Sequence, residues 1–335
     1  MPAPVRKVRL RDIAEATGFS INTVSHALKG LPDISAATRA VIRAKAREMG
    51  YIADSVAGSL RSGRTRTVAV ILGDMANPHF GLWVRAIETE AFAAGYSTLV
   101  MNAAEDETVE RAAIRTAAGK RVDGLILCPA QQTRDNLALV RQTGIPYVLV
   151  GRRFEDDTSP YVVPDDGRSG FLATRHLLER RCQHILMLNG PAWISSARER
   201  QQGYCRALTE AGLPCDPRLI RHGGVKSGQA RAALEQVLAE QLPFDGILAF
   251  SDLMALEAMA CLRQHGRNWQ TLPLAGFDDV LSGLALPVDL TSVRAQESVA
   301  TRAFHNLAAQ MDKHADSPVQ TVLDVVLIEH RSKKT

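Results

Sequence analysis

The chain has 335 residues, of which 46% are hydrophobic and 23% are charged. This length exceeds one ordinary domain and the composition is that of a globular protein, so we expect two or three domains. There is no run of 18 apolar residues, which argues against a transmembrane helix and a membrane partner. The N-terminus also lacks the apolar stretch of a signal peptide, and we therefore expect a cytoplasmic protein.

The net charge of +4 is unevenly distributed along the chain. Residues 1–66 contain 12 Lys/Arg against 5 Asp/Glu, which gives +7, and the remaining residues contain 28 against 31, which gives −3. A basic head on a slightly acidic body predicts a nucleic-acid contact that is confined to the head.

The cysteines are odd in number and scattered, and they form no CxxC or Cys/His spacing typical of zinc sites. We therefore predict no metal site and no cofactor, and we interpret most of the cysteines as small apolar residues in a reducing compartment. The five are Cys128, Cys182, Cys205, Cys215 and Cys261.

The first predicted elements are two short helices joined by a tight turn within residues 8–30. Leu10–Thr17 supplies the first helix, and Gly18 permits the turn because glycine adopts a left-handed backbone at little cost. Ser20 stands where a helix N-cap belongs, directly before Ile21. This arrangement predicts a helix-turn-helix.

The second helix separates its apolar and polar residues. Val24, Ala27 and Leu28 fall on one side of the helical wheel, and Asn22, His26 and Lys29 fall on the other. Amide and basic side chains can pair with base edges in a DNA major groove. Taken alone, the pattern also fits a small amphipathic hairpin whose polar face only meets water.

A third helix follows, capped by Ser35, with Ile42, Ala46 and Met49 at helical spacing, and Gly50 ends it. The segments DIAEATGFSINTVSHALKG and PDISAATRAVIRAKAREMGYI closely resemble the headpiece of the lactose/galactose repressor (LacI/GalR) family of bacterial transcription regulators. The resemblance continues through nearly the whole chain.

From Thr67 onward, continuous apolar runs alternate with amphipathic helices. A first series of predicted strands comprises TVAVILG, YSTLVMN, DGLILCP and IPYVLVG, and a second series comprises HILMLNG, DGILAF and LPLAGF. Two successive βαβ sets predict two doubly wound parallel-sheet lobes, with a ligand cleft at the carboxyl ends of the strands. The resemblance implies that this core is similar to periplasmic binding proteins.

These observations predict three domains. We expect a DNA-binding headpiece at 1–51, a hinge at 52–66, and an effector-binding and dimerisation core at 67–335. The resemblance implies that the chain crosses back between lobes near 289–294 and again near Pro318. The expected N-lobe is then about 67–163 and 294–318, and the expected C-lobe is about 164–293 and 319–331.

In the headpiece, the resemblance implies base-reading positions at Ile21, Asn22 and His26. His26 departs from the arginine of most relatives, so we expect a shifted operator preference and a pH-dependent operator affinity. Ile21 could instead belong to the core, because it flanks the apolar stripe. Phosphate contacts are expected from a further set of residues, Thr23, Ser25, Lys29, Ser35 and Arg39.

The segment DSVAGSLR at 54–61 has helical character but spans only two turns, which is marginal in water. On its own it is most simply a flexible linker. The resemblance instead implies a hinge helix that folds over the DNA minor groove, with Leu60 wedged into a base step. Asp54 departs from the usual asparagine and could act as a helix cap.

In the core, the resemblance implies an effector site in the cleft, formed by His79, Phe80, Arg152, Trp193, Ile194, Arg200, Ser251, Asp252 and Asp278. Three of these assignments leave an alternative open. Phe80 could be helix-cap packing, Arg198 competes with Arg200 for the cleft position, and Asp278 could be a helix cap. Ser251 replaces a common asparagine, and Arg152 hints at an acidic or phosphorylated ligand.

No nucleophile elbow, P-loop or metal-ligand cluster accompanies these residues, so no enzyme is predicted. We expect a homodimeric regulator, most often a repressor, that binds double-stranded DNA at a pseudo-palindromic operator. A small-molecule effector, commonly a sugar or sugar derivative, would control it. The alternatives are a regulator whose core responds to a protein partner and, more distantly, an enzyme fused to a DNA-binding head.

Overall fold

The structure is a computed structural model that describes residues 8–52, 63–284, 289–312 and 319–330. The chain divides into two compact units, Met1–Gly63 and Arg64–Thr335. In the described ranges, no helix is both long enough and apolar enough to span a membrane.

The described residues of the first unit form three helices: α1 (Leu10–Thr17), α2 (Ile21–Lys29) and α3 (Ala36–Glu48). Gly18 adopts a φ of 73° and ends α1, and the Ser20 hydroxyl accepts a hydrogen bond from the Thr23 N–H at the start of α2. Both features were predicted and are confirmed. The three helices bury one small core, made of Ile13, Ala14, Val24, Ala27, Ile42 and Ala46.

Asp54 and Leu60, the two linker residues with predicted roles, lie outside the described residues, as does the rest of 53–62.

The N-lobe of the second unit is a six-stranded parallel sheet with the order β11-β5-β4-β3-β1-β2. Its strands are β1 (Thr67–Leu72), β2 (Ser97–Asn102), β3 (Gly124–Leu127), β4 (Tyr147–Val150), β5 (Tyr161–Pro164) and β11 (Gln320–Leu323). Its helices are α4 (Pro78–Ala93), α5 (Glu107–Gly119), α6 (Asp135–Thr143) and α12 (Val299–Met311). Helices α4 and α12 cover one face, and α5 and α6 cover the other.

The C-lobe is a second six-stranded sheet, with the order β12-β10-β9-β8-β6-β7, in which only the β10–β12 pair is antiparallel. Its strands are β6 (Ile185–Asn189), β7 (Ile220–His222), β8 (Gly246–Ala249), β9 (Leu274–Phe277), β10 (Leu290–Ala295) and β12 (Val325–His330). Its helices are α7 (Asp166–Glu179), α8 (Ser195–Glu210), α9 (Gln229–Ala239), α10 (Asp252–Gln264) and α11 (Val280–Leu284). The predicted pair of doubly wound lobes is therefore confirmed.

In the described part of the core, the chain passes between the lobes three times, and two of these crossings lie later than predicted. β10 still belongs to the C-lobe sheet, so the second crossing falls at 296–298 and not near 294. β11 pairs with β5 in the N-lobe, which moves the third crossing from Pro318 to Asp324. β11 is a four-residue edge strand with little apolar content, and such a strand gives little periodicity to read.

The cysteines differ in part from the prediction. Cys128, Cys182 and Cys261 are free and buried among apolar residues, as predicted. Cys205 on α8 and Cys215 in the following loop form a disulfide, which the scattered spacing did not indicate.

Candidate functional site

A cavity of about 260 Å³ lies between the two lobes of the core and is lined by residues from both. Six of the predicted effector residues line it: His79, Phe80 and Arg152 from the N-lobe, and Arg200, Ser251 and Asp278 from the C-lobe. Arg152, Ser251 and Asp278 follow closely after strands, at the carboxyl ends where ligands bind in open α/β sheets. His79, Phe80 and Arg200 lie on the helices α4 and α8.

The start of α4 forms an aromatic wall of this cavity. The Asn77 side chain caps the helix by accepting a hydrogen bond from the His79 N–H (3.0 Å), which fixes the residues that follow. The ring centroids of His79 and Trp83 lie 4.4 Å apart, and those of Phe80 and Trp83 lie 5.7 Å apart. Phe80 both packs in the N-lobe core and lines the cavity, so its two predicted roles coexist.

His79 and Asp278 face each other across the lobes, with 3.8 Å between Nε2 and Oδ1. Burial lowers the pKa of His79 despite the opposing effect of Asp278, so the imidazole is neutral at neutral pH. Asp279, not Asp278, makes a side-chain contact with α11, since it accepts a hydrogen bond from the Ser282 hydroxyl. The Asp278 carboxylate is left for the cavity.

Arg200 is held in a fixed orientation inside the C-lobe. Its Nε donates to Asp166 Oδ1 (2.7 Å) and its Nη1 donates to the carbonyl oxygen of Phe250 (2.5 Å). The guanidinium lies over the rings of Phe250 and Phe277, at 4.8 and 4.3 Å from their centroids. Burial raises the pKa of Asp166 to about 6, against the opposing effect of Arg200, which leaves the pair ionised at neutral pH.

Arg198, the competing candidate, points away from the cavity. Its guanidinium bonds Glu155 (2.7 Å) and the carbonyl oxygen of Trp193 (3.0 Å). The structure thus places Arg200, and not Arg198, in the cleft. Ser251 has two roles, since it lines the cavity and also caps α10 by accepting a hydrogen bond from the Met254 N–H.

Three predicted effector residues do not line the cavity. Trp193 is 49% exposed, and Ile194 is buried in the C-lobe core directly before α8. Asp252 is fully buried and accepts hydrogen bonds from the Ser292 hydroxyl and the Val280 N–H, so it ties α10 to β10 and α11. All three were predicted to line the cavity because they lie close in sequence to a residue that does.

Arg152 lines the cavity, but its charge is already paired. Two of its nitrogens donate to the Glu105 carboxylate at 2.7 and 2.8 Å, and one also donates to the carbonyl oxygen of Pro129 (3.0 Å). The expected hint of an acidic ligand from Arg152 is therefore not supported by this geometry.

Several residues that line the cavity were not predicted, although the position of some of them in the sequence could have indicated it. Trp83 lies four residues after His79 on one helix, and Phe250 and Phe277 directly precede the predicted Ser251 and Asp278. Glu105 follows β2, but nothing in the sequence links it to Arg152. Others on the wall are Asn77, Glu105, Cys128, Ser169 and Ser196.

In the first unit, the predicted DNA-reading residues occupy the side of α2 opposite the core. Ile21 is 48% exposed, so it does not belong to the core, whereas Val24 is fully buried. Asn22 and Lys29 are exposed, and Thr23 and Ser25 are half-buried.

His26 Nδ1 lies 2.5 Å from Asp33 Oδ2, so the carboxylate in the next turn orients this imidazole. Ser35 and Arg39 have roles within the unit. The Ser35 hydroxyl caps α3, and Arg39 Nη2 donates to two carbonyl oxygens of the 31–34 turn.

A helix-turn-helix unit joined to a two-lobed core with a cavity between the lobes defines a DNA-binding transcription regulator with a periplasmic-binding-protein-like core. The family model of bacterial regulatory proteins of the lacI family matches residues 9–54. The model of periplasmic binding proteins and the sugar binding domain of the LacI family matches residues 65–322. The chain belongs to the LacI family of transcription regulators.

Individual relatives agree with this assignment. The HTH-type transcriptional regulator GalR of Escherichia coli (strain K12) is 29% identical over 328 residues, which cover 97% of this chain and 96% of GalR. The structure of a transcriptional regulator CelR–cellobiose complex has a TM-score of 0.72 at 26% identity, over 97% of this chain and 100% of that one. The lac repressor dimer bound to operator and the anti-inducer ONPF shares the fold, with a TM-score of 0.81 at 24% identity over 98% and 100% of the chains.

Proposed function

We propose that this regulator is a homodimeric, cytoplasmic repressor whose affinity for a pseudo-palindromic operator is set by a sugar or sugar derivative bound in the cavity between the lobes. The observation that carries the proposal is the cavity itself, with Arg200 and Asp278 both on its C-lobe wall and Arg200 held in place by Asp166. The sugar binding domain in the matched family model and the cellobiose in the CelR complex support the ligand class.

The cavity offers the contacts that a sugar ring requires. Arg200 uses Nε and Nη1 within the protein, which leaves Nη2 to donate to ligand hydroxyl oxygens. Asp278 accepts from ligand hydroxyls, and Ser169 and Ser196 can both donate and accept. The aromatic wall supplies a flat apolar surface for the C–H face of a sugar ring.

In the DNA complex, α2 of each protomer would lie in a major groove, because the two-fold symmetry of the dimer then matches the half-sites. Ile21, Asn22 and His26 would read base edges, and Thr23, Ser25 and Lys29 would contact phosphates. Ser35 and Arg39 stay in the proposed phosphate set, although both also hold the turn between α2 and α3. Leu60 would wedge into the central base step.

Effector and operator then couple through the relative position of the lobes, and this coupling acts equally in both directions. The proposal includes no turnover. Burial raises the pKa of the Cys128 thiol to about 12, so the one cavity cysteine in the described part of the chain stays protonated at neutral pH and is a poor nucleophile.

The test is a thermal-shift screen of the full-length protein against sugars, sugar acids, sugar phosphates, polyols and purines. A ligand at 100 times its Kd stabilises a protein by roughly 2.7 kcal/mol, which a melting curve resolves. We expect a hit with wild type that is lost in Arg200→Ala and kept in Arg198→Ala. The two variants each remove an arginine side chain, and the two positions are only two residues apart. Arg200 lines the cavity, whereas Arg198 lies outside it.

Operator binding by each variant controls for folding of the full chain. A hit that survives in Arg200→Ala would place the ligand elsewhere. If no compound stabilises the wild type while operator binding is intact, the proposal of a small-molecule effector is wrong and a protein partner takes its place.

A further inference from the structure

The Arg152–Glu105 pair is built into the N-lobe wall of the cavity. Both side chains are buried, with exposed fractions of 6% and 7%, and the two N–H···O bonds between them form a bidentate contact. Such paired hydrogen bonds between a guanidinium and a carboxylate are among the strongest that proteins make. Arg152 thus enters the cavity wall with its charge already compensated.

The Glu105 carboxylate occupies space that is open only because residue 73 is a glycine. Glu105 has a φ of 50° and its N–H donates to the carbonyl oxygen of Gly73 (2.9 Å), in the turn that follows β2. A Cβ atom at residue 73 would lie 1.9 Å from Glu105 Oε1, so Gly73 keeps open the space that the carboxylate occupies. The pair is therefore fixed from both the β1 and the β2 ends of the sheet.

The other cationic groups on the described cavity wall are also compensated. Arg200 pairs with Asp166, and Arg294 pairs with Asp279 at 3.1 Å. Burial keeps His79 neutral. The carboxylate of Asp278 has only this neutral imidazole as its ion-pair partner among the described residues. Glu297, the remaining carboxylate among the described lining residues, pairs with Arg302 at 2.5 Å. The described wall therefore has no unpaired positive charge to offer an anion, and the Asp278 carboxylate would repel one.

We propose that Glu105 is a specificity-determining residue that makes this cavity select an uncharged polyhydroxy effector and reject acidic or phosphorylated analogues. This inference rests on the proposed function, because it names the chemical class of the ligand in the same cavity. Glu105 is already hydrogen-bonded to Arg152, so an anion could bind Arg152 only by displacing a carboxylate that two hydrogen bonds hold in place. Removal of the Glu105 charge converts Arg152 into an anion site.

The experiment compares full-length wild type, Glu105→Gln and the control Glu107→Gln. Glu107 lies two residues away, outside the cavity, where it accepts hydrogen bonds from Thr133. The probes are inorganic sulfate and two matched pairs, D-galactose with D-galacturonate and D-glucose with D-glucuronate. Binding is measured by titration calorimetry, and melting curves are recorded with and without each anion.

For Glu105→Gln we expect a lower melting temperature that sulfate or a uronate restores, with an anion affinity at least about tenfold above that of wild type and Glu107→Gln. Adding Arg152→Gln to Glu105→Gln should abolish the anion effect. A folded Glu105→Gln protein that binds anions no better than the control would overturn the proposal.

The wild type provides a second test that needs no variant to fold. A uronate that binds wild type more tightly than its neutral parent sugar would also overturn the proposal. The sulfate measurement requires no knowledge of the effector, so it can succeed or fail independently of the proposed function.

Discussion

The ion pair of Asp166 and Arg200 serves both folding and ligand binding, but the two favour different protonation states of Asp166. The pKa of Asp166 is raised to about 6 by burial, with Glu199 and Asp278 adding to the rise and Arg200 opposing it. A carboxyl whose folded-state pKa lies above its unfolded value stabilises the fold when protonated, and this contribution is lost as pH rises through about 6. Orientation of Arg200 toward a ligand depends instead on the ionised form.

We therefore predict that effector affinity weakens as pH falls below about 6, by roughly tenfold, which is the loss expected for a charge-assisted hydrogen bond that becomes neutral. Asp166→Asn should weaken the affinity at pH 7.5 by a similar factor and flatten the dependence between pH 5 and pH 7.5. Titration calorimetry with the effector found by the screen measures both. A wild-type Kd that is constant across this range would contradict the assigned role of Asp166.

Single residues also show where sequence reasoning reached its limit. Arg200 and Asp278 could be placed in the cleft because each lies within a motif that matches the family, Asp278 at the end of β9 and Arg200 on α8. Glu105 could not be connected to Arg152, because these two residues are 47 positions apart in sequence and only the order of strands in the sheet brings them together. Trp193 and Ile194 were misplaced because the direction of a loop side chain is not encoded in any periodic pattern.

Among the described elements, α7 and α8 make the most extensive helix–helix contact. A Cβ at Gly170 would lie 2.1 Å from the carbonyl oxygen of Arg200, and a Cβ at Gly203 would lie 2.1 Å from that of Gly167. Backbone therefore packs directly on backbone, and this contact determines where α8 presents Arg200 to the cavity. Neither glycine has a positive φ, so the requirement is for space alone.

Gly170→Ala should lower the free energy of unfolding of the full chain by roughly 1–3 kcal/mol or more, because the added methyl must push the helices apart. Gly81→Ala is the matched control, since Gly81 is also helical and its Cβ would meet no atom within 4 Å. The control should be neutral or up to about 1 kcal/mol more stable. Urea denaturation measures both, and an unchanged midpoint for Gly170→Ala would disprove the close contact.

The sequence predicted seven of the strands, β1, β2, β3, β4, β6, β8 and β9, and it missed β5, β7, β10, β11 and β12. β1, β3, β4, β6, β8 and β9 are buried on both faces and read clearly as parallel strands. β7 has three residues and β11 has four, and both are edge strands that carry polar side chains. These two strands are defined by their hydrogen bonds to the neighbouring strand, and no local sequence pattern indicates such bonds. Because β11 was not predicted, the third crossing between the lobes was placed too early.

At the scale of the whole molecule, operator recognition and effector recognition belong to separate compact units, residues 1–63 and 64–335. They should therefore respond separately to substitutions that touch only one of them. Leu60, which we propose to contact the minor groove, offers the test because an apolar wedge contributes to DNA bending and has no proposed role in effector binding.

Leu60→Ala should weaken operator binding while the effector affinity of the DNA-free protein stays nearly unchanged. Fluorescence anisotropy with operator DNA and calorimetry with effector give the two constants on the same preparation. An equal loss of both constants would mean that Leu60 supports the fold of the core, and the proposed role in the minor groove would then be wrong.

The internal charge pairing of the cavity also has a consequence for how the two binding equilibria respond to ionic strength. Each phosphate that the basic head neutralises releases condensed counterions, so operator affinity falls steeply as salt rises. A neutral ligand that enters a wall of compensated ion pairs releases none, and mobile ions barely reach pairs this deeply buried. Added salt should therefore weaken operator binding far more than it weakens effector binding to the DNA-free protein, and its effect on the cavity should come mainly through the loss of the bound operator.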